Sequence, residues 1–368
     1  CTLYYAGIRP TMYPLPEPAK APVSDYLHRK IYEVCCRTLH LCMHEHYEDC
    51  PWREQALYTM DSRNQMLCGY YAFGETRFPR ASLALIAHSI RDDDLLELCS
   101  PAEVPITIPS FSAVFLVQLE EYLDYSGDAD FVCEILPVCE RIAGEFLRRA
   151  ENDKGLLKCY GERQYWNFYE WQSGLAGTIF GTVSEEERTY DAPLNAFVSL
   201  ALRSLAKICG ALRHNEKEKY YRDAYIKLNK AINEVFFDES RGCYASFMKD
   251  GKLSHYSELT NSLIVCAGAV PDGRLVPVLE TIAGCNLLPV TLSHSIFKYD
   301  ALMQKPEKYK QFVLDNIAEL WGKMLYSGAT SFWETIAGEA DFGNAGSLCH
   351  AWSAVPIYIY FKYFKNSV

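Results

Sequence analysis

Carboxylates, an arginine and two aromatic residues are concentrated between Asp49 and Asp61. If this segment were one helix, Pro51 would suit its first position, and Glu54 and Asp61, seven residues apart, would share a face. Acidic residues near a helix start also stabilise the helix dipole, which is the structural interpretation of the same pattern. Three carboxylates beside Arg53 within thirteen residues instead favour a site that exchanges protons or binds hydroxyl groups.

Two later motifs combine tryptophan with a titratable residue. The glycine-led segment that starts at Gly328 ends in Trp333 and Glu334. An indole beside a carboxyl can hold a sugar ring and raise the carboxyl pKa, although a structural tryptophan with a solvated glutamate is the simpler interpretation. His350, shortly before Trp352, could donate to a substrate hydroxyl, whereas most histidines in such positions are satisfied core residues.

A further aromatic cluster lies between Trp166 and Trp171 and is typical either of packing or of a platform for a sugar ring. His44 and His46 point apart if they lie on a helix, and no His-Glu-x-x-His follows, so we predict no metal site. The sequence has no Gly-x-Ser-x-Gly, P-loop or dinucleotide-binding glycine motif, so nothing supports a hydrolase of that type, a kinase or a dehydrogenase, and no cofactor is expected.

The composition restricts the partners of this 368-residue chain. A net charge of −11 repels phosphate backbones and anionic membrane surfaces, so we expect neither nucleic acid nor membrane as a partner. No apolar run reaches the roughly 18 residues of a membrane span. The 15 cysteines include no Cys-x-x-Cys pair, which favours reduced, buried thiols in the cytoplasm. Because the chain begins with Cys1, we expect it to be part of a longer protein.

Helices must position the candidate residues, because the hydrophobic pattern from Ser24 onward has the helical period. Short Gly, Pro, Asn and Asp breakers separate about twelve helices, whose apolar stripes include those starting at Leu27, Phe111, Phe131, Leu194, Tyr221 and Phe312. Strands do not alternate with the helices, which argues against a Rossmann fold or a (β/α) barrel. Since no fixed repeat indicates an open solenoid, we predict an all-α fold over residues 24–368, a closed (α/α)6 barrel.

The segments without helical period have two different interpretations. Residues 1–23 combine a strand-like Thr2–Tyr5 with five prolines, so we predict a strand remnant followed by an extended linker. Residues 242–251 predict a small β-hairpin. The candidate site residues concentrate in three other interruptions, which we expect to meet at one mouth of the barrel: 45–61, 161–181 and 327–347.

Taken together, the motifs resemble those of glycoside hydrolase family 78, the bacterial α-L-rhamnosidases. Asp49–Glu54, with Asp61 beyond it, resembles the family's Asp-Cys-Pro-x-Arg-Glu and later Gly-Asp. Gly328–Glu334 resembles its Gly-Ala-Thr-Thr-x-Trp-Glu, and Ser347–Ala354 its Ser-Leu-x-His-Ala-Trp-Ser-Ala. The three motifs occur in the family's order, and the resemblance extends from about residue 20 to the end of the chain.

This resemblance implies an (α/α)6 catalytic domain that hydrolyses a terminal α-L-rhamnoside, or a related neutral or deoxy sugar, with inversion. It implies that Glu54 is the general acid and Glu334 the general base, which in inverting enzymes lie roughly 6.5–9.5 Å apart. The expected partner is a glycoside or oligosaccharide, and a homodimer is the assembly to test. The implied substrate contacts are Asp49, Arg53, Tyr58, Asp61, Trp166, Trp171, Trp333 and His350.

The chain departs from the family pattern in its aromatic residues. Tyr58 and Met60 stand where the family has Trp and Gly, and Pro109-Ser110-Phe111 stands for its Pro-Asp-Trp. Phe168–Trp171 replaces its Phe-x-Asp-Trp. Glycoside hydrolysis is therefore better supported by the motifs than rhamnose as the sugar.

Two alternative functions stay open on the sequence. Another (α/α)6 enzyme, of the unsaturated glucuronyl hydrolase or lyase type, would need basic residues at the mouth to hold acidic sugars, whereas the loops here are acid-rich. A non-catalytic, carbohydrate-binding helical scaffold would have no pair of carboxylates across a cavity.

Overall fold

The computed structural model describes residues 2–284 and 286–365, so the predicted domain limits at Cys1 and Val368 lie outside the described residues. This part of the chain has thirteen α-helices: α1 Tyr26–Leu41, α2 Thr59–Phe73, α3 Arg77–His88, α4 Pro109–Ser126, α5 Ala129–Arg149, α6 Ala192–Ala211, α7 Asn215–Phe236, α8 Glu258–Cys266, α9 Asp272–Ala283, α10 Ser295–Leu302, α11 Pro306–Tyr326, α12 Asp341–Asn344 and α13 Pro356–Tyr363. The 3-10 turns are Leu292–His294, Gly338–Ala340 and Ala351–Ala354.

All of these α-helices except the four-residue α12 alternate between two layers. Helices α2, α4, α6, α8, α10 and α13 are buried along most of their length, whereas α1, α3, α5, α7, α9 and α11 each bury one face. The inner helices contact one another in the order α2, α4, α6, α8 and α10, and α13 packs against α2. Six outer–inner pairs therefore form the predicted (α/α)6 barrel, because each amphipathic helix covers the apolar inner ring with its buried face.

Several predicted helix boundaries are confirmed by their capping geometry. Gly127 follows α4 with a φ of 70°, the left-handed conformation in which glycine commonly ends a helix. Asp128 then begins α5 by accepting a hydrogen bond from the Phe131 amide at 3.2 Å. Pro109 and Pro306 occupy the first positions of α4 and α11, where the missing amide hydrogen costs nothing.

A hairpin forms around Asp250 and Gly251, but the predicted range 242–251 is wrong, because Cys243–Tyr244 pairs with an earlier strand and the second strand of the hairpin follows residue 251. Strands β4 (Phe247–Lys249) and β5 (Lys252–Ser254) pair antiparallel around Asp250 and Gly251, and β1 (Tyr190–Asp191) pairs with β4. A second hairpin joins β2 (Phe237–Asp238) to β3 (Cys243–Tyr244). These strands of two or three residues connect helices without interrupting the barrel.

Thr2–Tyr5 pairs with no strand among the described residues, so its assignment as a strand remnant stays a prediction. Leu3 and Tyr4 are 79% and 92% exposed. The chain first joins the barrel at Tyr13, whose amide donates to the Met43 carbonyl at 2.8 Å and whose ring lies 4.5 Å from that of Phe78. Contact with the barrel therefore begins well after residue 5.

Helix α6 is long and apolar enough to cross a membrane by length and composition alone, and 78% of its apolar window is buried in the protein. It packs between α4 and α7, so its hydrophobicity is that of a barrel core helix. All thirteen cysteines that the structure describes are unpaired thiols, and most are buried.

Candidate active site

A cavity of about 200 Å³ opens where four loops meet. Each loop joins an outer helix to the next inner helix, namely α1 to α2, α3 to α4, α5 to α6 and α11 to α13, so the loops share one end of the barrel. The cavity contains eight of the ten predicted site residues. Its lining consists of Asp49, Glu54, Tyr58, Asp61, Leu98, Ile108, Phe111, Trp166, Phe168, Trp171, Ile179, Glu334, His350 and Trp352.

The loop before α2 is not the helix that Pro51 predicts. Residues 51–54 form a turn, Gln55 adopts a φ of 52°, and α2 begins only at Thr59. The loop is closed because Asp49 bonds Ala56 twice: its amide donates to the Ala56 carbonyl at 3.0 Å, and its Oδ1 accepts from the Ala56 amide at 2.8 Å. Glu54 and Asp61 therefore reach the cavity from different elements rather than from one helical face.

Arg53 connects the two candidate catalytic glutamates. Its Nη2 donates to Glu334 Oε1 and Oε2 at 2.8 and 3.0 Å and lies 3.5 Å from Glu54 Oε1. Because both carboxylates contact this one nitrogen, their Oε1 atoms are at most 6.3 Å apart, the sum of 2.8 and 3.5 Å. Arg53 Nη1 donates to the Ala345 carbonyl at 2.6 Å, which fixes the guanidinium at the edge of the cavity.

Glu334 is held rigidly and is only 4% exposed. Its Oε2 accepts from the Ser347 amide at 2.9 Å, and its own amide donates to the Ser347 carbonyl at 2.8 Å. The Trp352 indole donates to the Glu334 carbonyl at 2.9 Å. Burial raises the pKa of the Glu334 carboxyl, whereas the Ser347 amide and Arg53 lower it, because both favour the charged form.

Asp49, Asp61 and His350 form a buried polar cluster with unused hydrogen-bonding capacity. Within the described residues, Asp49 Oδ2, Asp61 Oδ1 and His350 Nδ1 have no hydrogen-bond partner. His350 Nε2 lies 3.7 and 3.9 Å from the two carboxylates, beyond hydrogen-bond distance. Since buried polar groups normally find partners, these atoms are suited to the hydroxyl groups of a bound ligand.

Burial determines the protonation of this cluster. It raises the pKa of Asp49 to about 7 and, with the charges of Asp49 and Glu54, raises the pKa of Asp61. Burial and then the Arg53 charge lower the pKa of His350, whose ring stacks on Trp352 with centroids 3.7 Å apart. A neutral imidazole can both donate to and accept from sugar hydroxyls, and carboxyls with raised pKa values can add donors or acceptors.

An aromatic wall faces these polar groups. The rings of Trp166 and Trp171 both contact Phe168, with centroids 5.0 Å apart in each case. The Trp166 indole donates to the Ala176 carbonyl at 2.7 Å and is thereby fixed in place. Such a wall offers flat apolar faces to a sugar ring.

Trp333 does not reach the cavity, so its predicted contact with substrate is not supported. Glu334 lines the cavity, whereas the Trp333 ring packs against Gly338, where an added Cβ would lie 2.8 Å from it. Sequence reasoning missed six lining residues. Phe168 and Trp352 stand inside recognised motifs, and Phe111 stands where the chain departs from the family pattern, but nothing local marks Leu98, Ile108 or Ile179.

In the described part of the chain, no group of three or more His, Cys, Asp or Glu residues could hold a metal ion.

Replacement of Asp49 by asparagine is expected to stabilise the protein at alkaline pH. The Asp49 pKa rises from its ordinary 3.8 to about 7 on folding, so its contribution to stability is complete below pH 3.8 and is lost as the pH rises to 7. An asparagine side chain does not ionise and would remove that loss. We therefore expect the free energy of unfolding to rise by roughly 1–4 kcal/mol at pH 8 and to change little at pH 4. Thermal unfolding of the variant and the wild type at both pH values measures this difference in stability.

The matched control for that experiment is Asp153→Asn, because Asp153 is exposed and its burial does not change with folding. A gain for Asp49→Asn that is equal at pH 4 and pH 8 would contradict the raised pKa.

Comparisons with known proteins identify the family and the fold. The bacterial alpha-L-rhamnosidase 6 hairpin glycosidase domain matches residues 21–283. A GH78 family rhamnosidase of Bacillus sp. GL1 is 26% identical, with a TM-score of 0.84 over 95% of this chain and 36% of that chain. A rhamnosidase from Klebsiella oxytoca with rhamnose bound is 22% identical, with a TM-score of 0.81 over 95% of this chain and 66% of that one.

Like the similarity to the Klebsiella oxytoca enzyme, a more distant one shows the fold alone: a GH63 mannosylglycerate hydrolase from Thermus thermophilus is 12% identical, with a TM-score of 0.62 over 90% of this chain and 99% of that chain. No curated protein matches the sequence significantly. The chain spans between about a third and two thirds of the lengths of the two rhamnosidases.

Proposed function

Because the chain belongs to the bacterial α-L-rhamnosidase six-hairpin glycosidase family, we propose that it hydrolyses terminal α-L-rhamnosides, by general acid and general base catalysis with inversion. The observation that carries the proposal is the pair of glutamates, Glu54 and Glu334, which line one cavity and contact the same nitrogen of Arg53.

Exposure distinguishes the roles of the two glutamates. The Glu54 side chain is 41% exposed at the cavity mouth, where it can take up a proton from solvent and give it to the glycosidic oxygen as the C1–O bond breaks. Glu334 is buried and held by two donors, which suits a base that accepts a proton from water. The oxygen of that water then forms its bond to C1 from the opposite face, and exchange of protons with solvent restores both carboxyls.

Inversion requires a water molecule between the base and the sugar, with carboxyls roughly 6.5–9.5 Å apart. Arg53 lies between the two glutamates, and their Oε1 atoms are within 6.3 Å of each other. A sugar entering the cavity would displace Glu54 from Arg53, since Glu54 lies in an exposed turn while Glu334 is anchored. The outward movement of Glu54 would bring the pair into the range for inversion.

The lining supports a neutral deoxy sugar as the substrate. Asp49, Asp61 and His350 offer unpaired polar atoms for hydroxyl groups, and apolar side chains lie in the same cavity for a methyl group. These apolar residues are Leu98, Ile108 and Phe111. An acidic sugar fits poorly, because Arg53 is already paired with Glu334 and none of the described residues that line the cavity is a lysine or an arginine. The non-catalytic scaffold is disfavoured by the paired glutamates.

The test is turnover of a panel of aryl glycosides, led by the α-L-rhamnoside, with the first-formed anomer followed by NMR. We expect release from the rhamnoside and initial formation of the β-anomer. Initial formation of the α-anomer would show that the mechanism is retaining rather than inverting. Hydrolysis of a different glycoside would show that the sugar is not rhamnose. Lack of turnover on every glycoside would remove the proposed activity from this chain.

We also propose that the protein works in the cytoplasm, a reducing compartment, because the thirteen cysteines that the structure describes are thiols.

A further inference from the structure

Two thiols contact each other beside the active site. Cys42 caps the end of α1, at the start of the loop that carries Asp49 and Glu54. Cys349 directly precedes the cavity residue His350. The Sγ atoms of the two cysteines lie 4.0 Å apart, although 307 positions separate them in the sequence. A disulfide has a sulfur–sulfur distance of about 2.05 Å, so the two sulfurs would have to approach by about 2 Å to form one.

The two thiols differ in access to solvent and in reactivity. Cys42 is fully buried, whereas Cys349 is partly exposed and follows Leu348, which is 42% exposed. A hydrogen bond from the Cys42 thiol lowers the pKa of Cys349 against the opposing effect of burial, and the Ser331 hydroxyl and the charge of Arg37 lower it further. Burial raises the pKa of Cys42. An accessible thiol with a lowered pKa beside a second cysteine is typical of thiols that react with peroxides.

Hydrogen bonds connect the segment around Cys349 to the active site. The Ser347 hydroxyl donates to the Cys349 carbonyl at 2.8 Å, and the Ser347 amide donates to Glu334 Oε2 at 2.9 Å. On the other side of Cys349, the Ala351 amide donates to the Asp49 carbonyl at 2.9 Å. A displacement of Cys349 is therefore transmitted both to the carboxyl of the proposed base and to the loop of Asp49.

Formation of a disulfide would displace Cys349 more than Cys42. Cys42 is fully buried at the end of α1, where close packing leaves its side chain little room to move. Cys349 lies in a segment that is neither helix nor strand. Since a misplacement of 1 Å in an active site can lower the rate by about 10²-fold, a shift of Cys349 towards Cys42 is expected to disturb Glu334.

We propose that Cys349 is a site of oxidation by peroxides, and that the disulfide it then forms with Cys42 lowers the activity of the enzyme. The Cys349 thiolate attacks one oxygen of hydrogen peroxide, the O–O bond breaks, and the departing hydroxide takes up a proton, which leaves a sulfenic acid and water. The Cys42 sulfur then bonds to the Cys349 sulfur, the S–O bond breaks, and the hydroxyl group leaves with the Cys42 proton as a second water. The two thiols thus supply the two electrons that reduce the peroxide, and a dithiol restores both cysteines by thiol–disulfide exchange. The loss of activity rests on the proposed function, whereas the disulfide does not.

The experiment oxidises the wild type with a small excess of hydrogen peroxide, blocks the remaining thiols with iodoacetamide and maps the disulfides by mass spectrometry of an unreduced digest. We expect a peptide pair that links Cys42 to Cys349. We also expect kcat/KM for nitrophenyl α-L-rhamnoside to fall by about tenfold on oxidation and to recover after treatment with dithiothreitol.

Three serine variants locate the effect. Cys349→Ser and Cys42→Ser are expected to keep a kcat/KM close to that of the wild type before oxidation and to lose the reversible inhibition, with thermal unfolding as the check on folding. In Cys42→Ser the sulfenic acid of Cys349 has no partner thiol and proceeds to the sulfinic acid, which dithiothreitol does not reduce. Cys133→Ser is the matched control, because Cys133 is exposed on the outer helix α5, and we expect it to keep both the inhibition and the recovery.

Three results would overturn the proposal. The first is a lack of the Cys42–Cys349 peptide pair at peroxide concentrations that already oxidise Cys133. The second is a disulfide between Cys42 and Cys50, a further thiol close to it. The third is a Cys42–Cys349 disulfide that leaves kcat/KM unchanged.

Deuterium uptake by residues 347–351 separates this inference from the proposed activity, because it needs no turnover. If the wild type hydrolysed no glycoside, the proposed function would fail, and uptake would take the place of kcat/KM. Faster uptake in the oxidised protein would then support the inference, since the Ser347 amide would have lost its bond to Glu334. Unchanged uptake in an oxidised protein that contains the disulfide would overturn it.

Discussion

Replacement of Glu334 by glutamine is expected to lower kcat/KM for an α-L-rhamnoside by about 10³-fold, within the 10²- to 10⁴-fold range of general acid–base catalysis. Glutamine can still accept from the Ser347 amide, which donates to Glu334 Oε2 at 2.9 Å, so the fold should persist. It cannot take a proton from water. Steady-state kinetics, with thermal unfolding as the check on folding, measures the effect.

The matched variant is Glu54→Gln, because the two proposed roles respond differently to the leaving group. A general acid is needed only when the departing oxygen must be protonated. Methoxide needs a proton to leave and nitrophenolate does not, so Glu54→Gln should lose far more activity on methyl α-L-rhamnoside than on nitrophenyl α-L-rhamnoside. Glu334→Gln should lose both to a similar extent, because water must be activated in either case. The reverse pattern would exchange the two roles, and near-normal turnover in both variants would remove the assignment.

Replacement of Arg53 by methionine is expected to move the acidic limb of the pH–rate profile to higher pH and to lower kcat/KM at neutral pH by about 10²-fold. A base must be ionised, so activity falls as the pH drops through the Glu334 pKa. Burial raises that pKa, and Arg53 opposes the rise, so removing the guanidinium leaves Glu334 protonated over a wider pH range. The pH dependence of kcat/KM measures the shift.

Arg141→Met is the control for this experiment, because Arg141 pairs with Asp94 at 2.7 Å with both side chains more than 40% exposed. Exposed ion pairs of this kind contribute little to stability, so we expect Arg141→Met to leave the pH profile unchanged. An Arg53→Met enzyme whose kcat/KM falls at all pH values without a shift of the acidic limb would show that Arg53 binds substrate rather than tuning Glu334.

Local patterns in the sequence were sufficient for the helices and for the grouping of the site. Stripes of apolar residues at spacings of three and four predicted outer helices such as α1, α5 and α7, because a helix with one buried face needs that period whatever it packs against. The breakers at Gly127 and Pro306 also act locally, through φ and through the missing amide hydrogen. The resemblance of three short motifs then assigned Glu54 and Glu334 to one site, which the barrel does bring together.

The tertiary structure alone decided how these residues meet. Pro51 would suit a helix start, but the two bonds between Asp49 and Ala56 close a loop instead, and a bond across a loop has no periodic signature. Trp333 lies beside Glu334 in sequence but does not line the cavity. Leu98 and Ile108 line the cavity with no local sign of it, since closure of the ring brings the α3–α4 loop to the others.

The protonation of the site is likewise a property of the folded chain. The pKa of Asp49 rises to about 7 mainly because burial removes water from its carboxyl, and Arg53 reaches Glu334 across a sequence separation of 281 residues. The sequence therefore determined which helices form and which side chains are available for chemistry. Only the closed barrel decided which of them share a cavity and how strongly each holds its proton, because desolvation and distance depend on residues far apart in the chain.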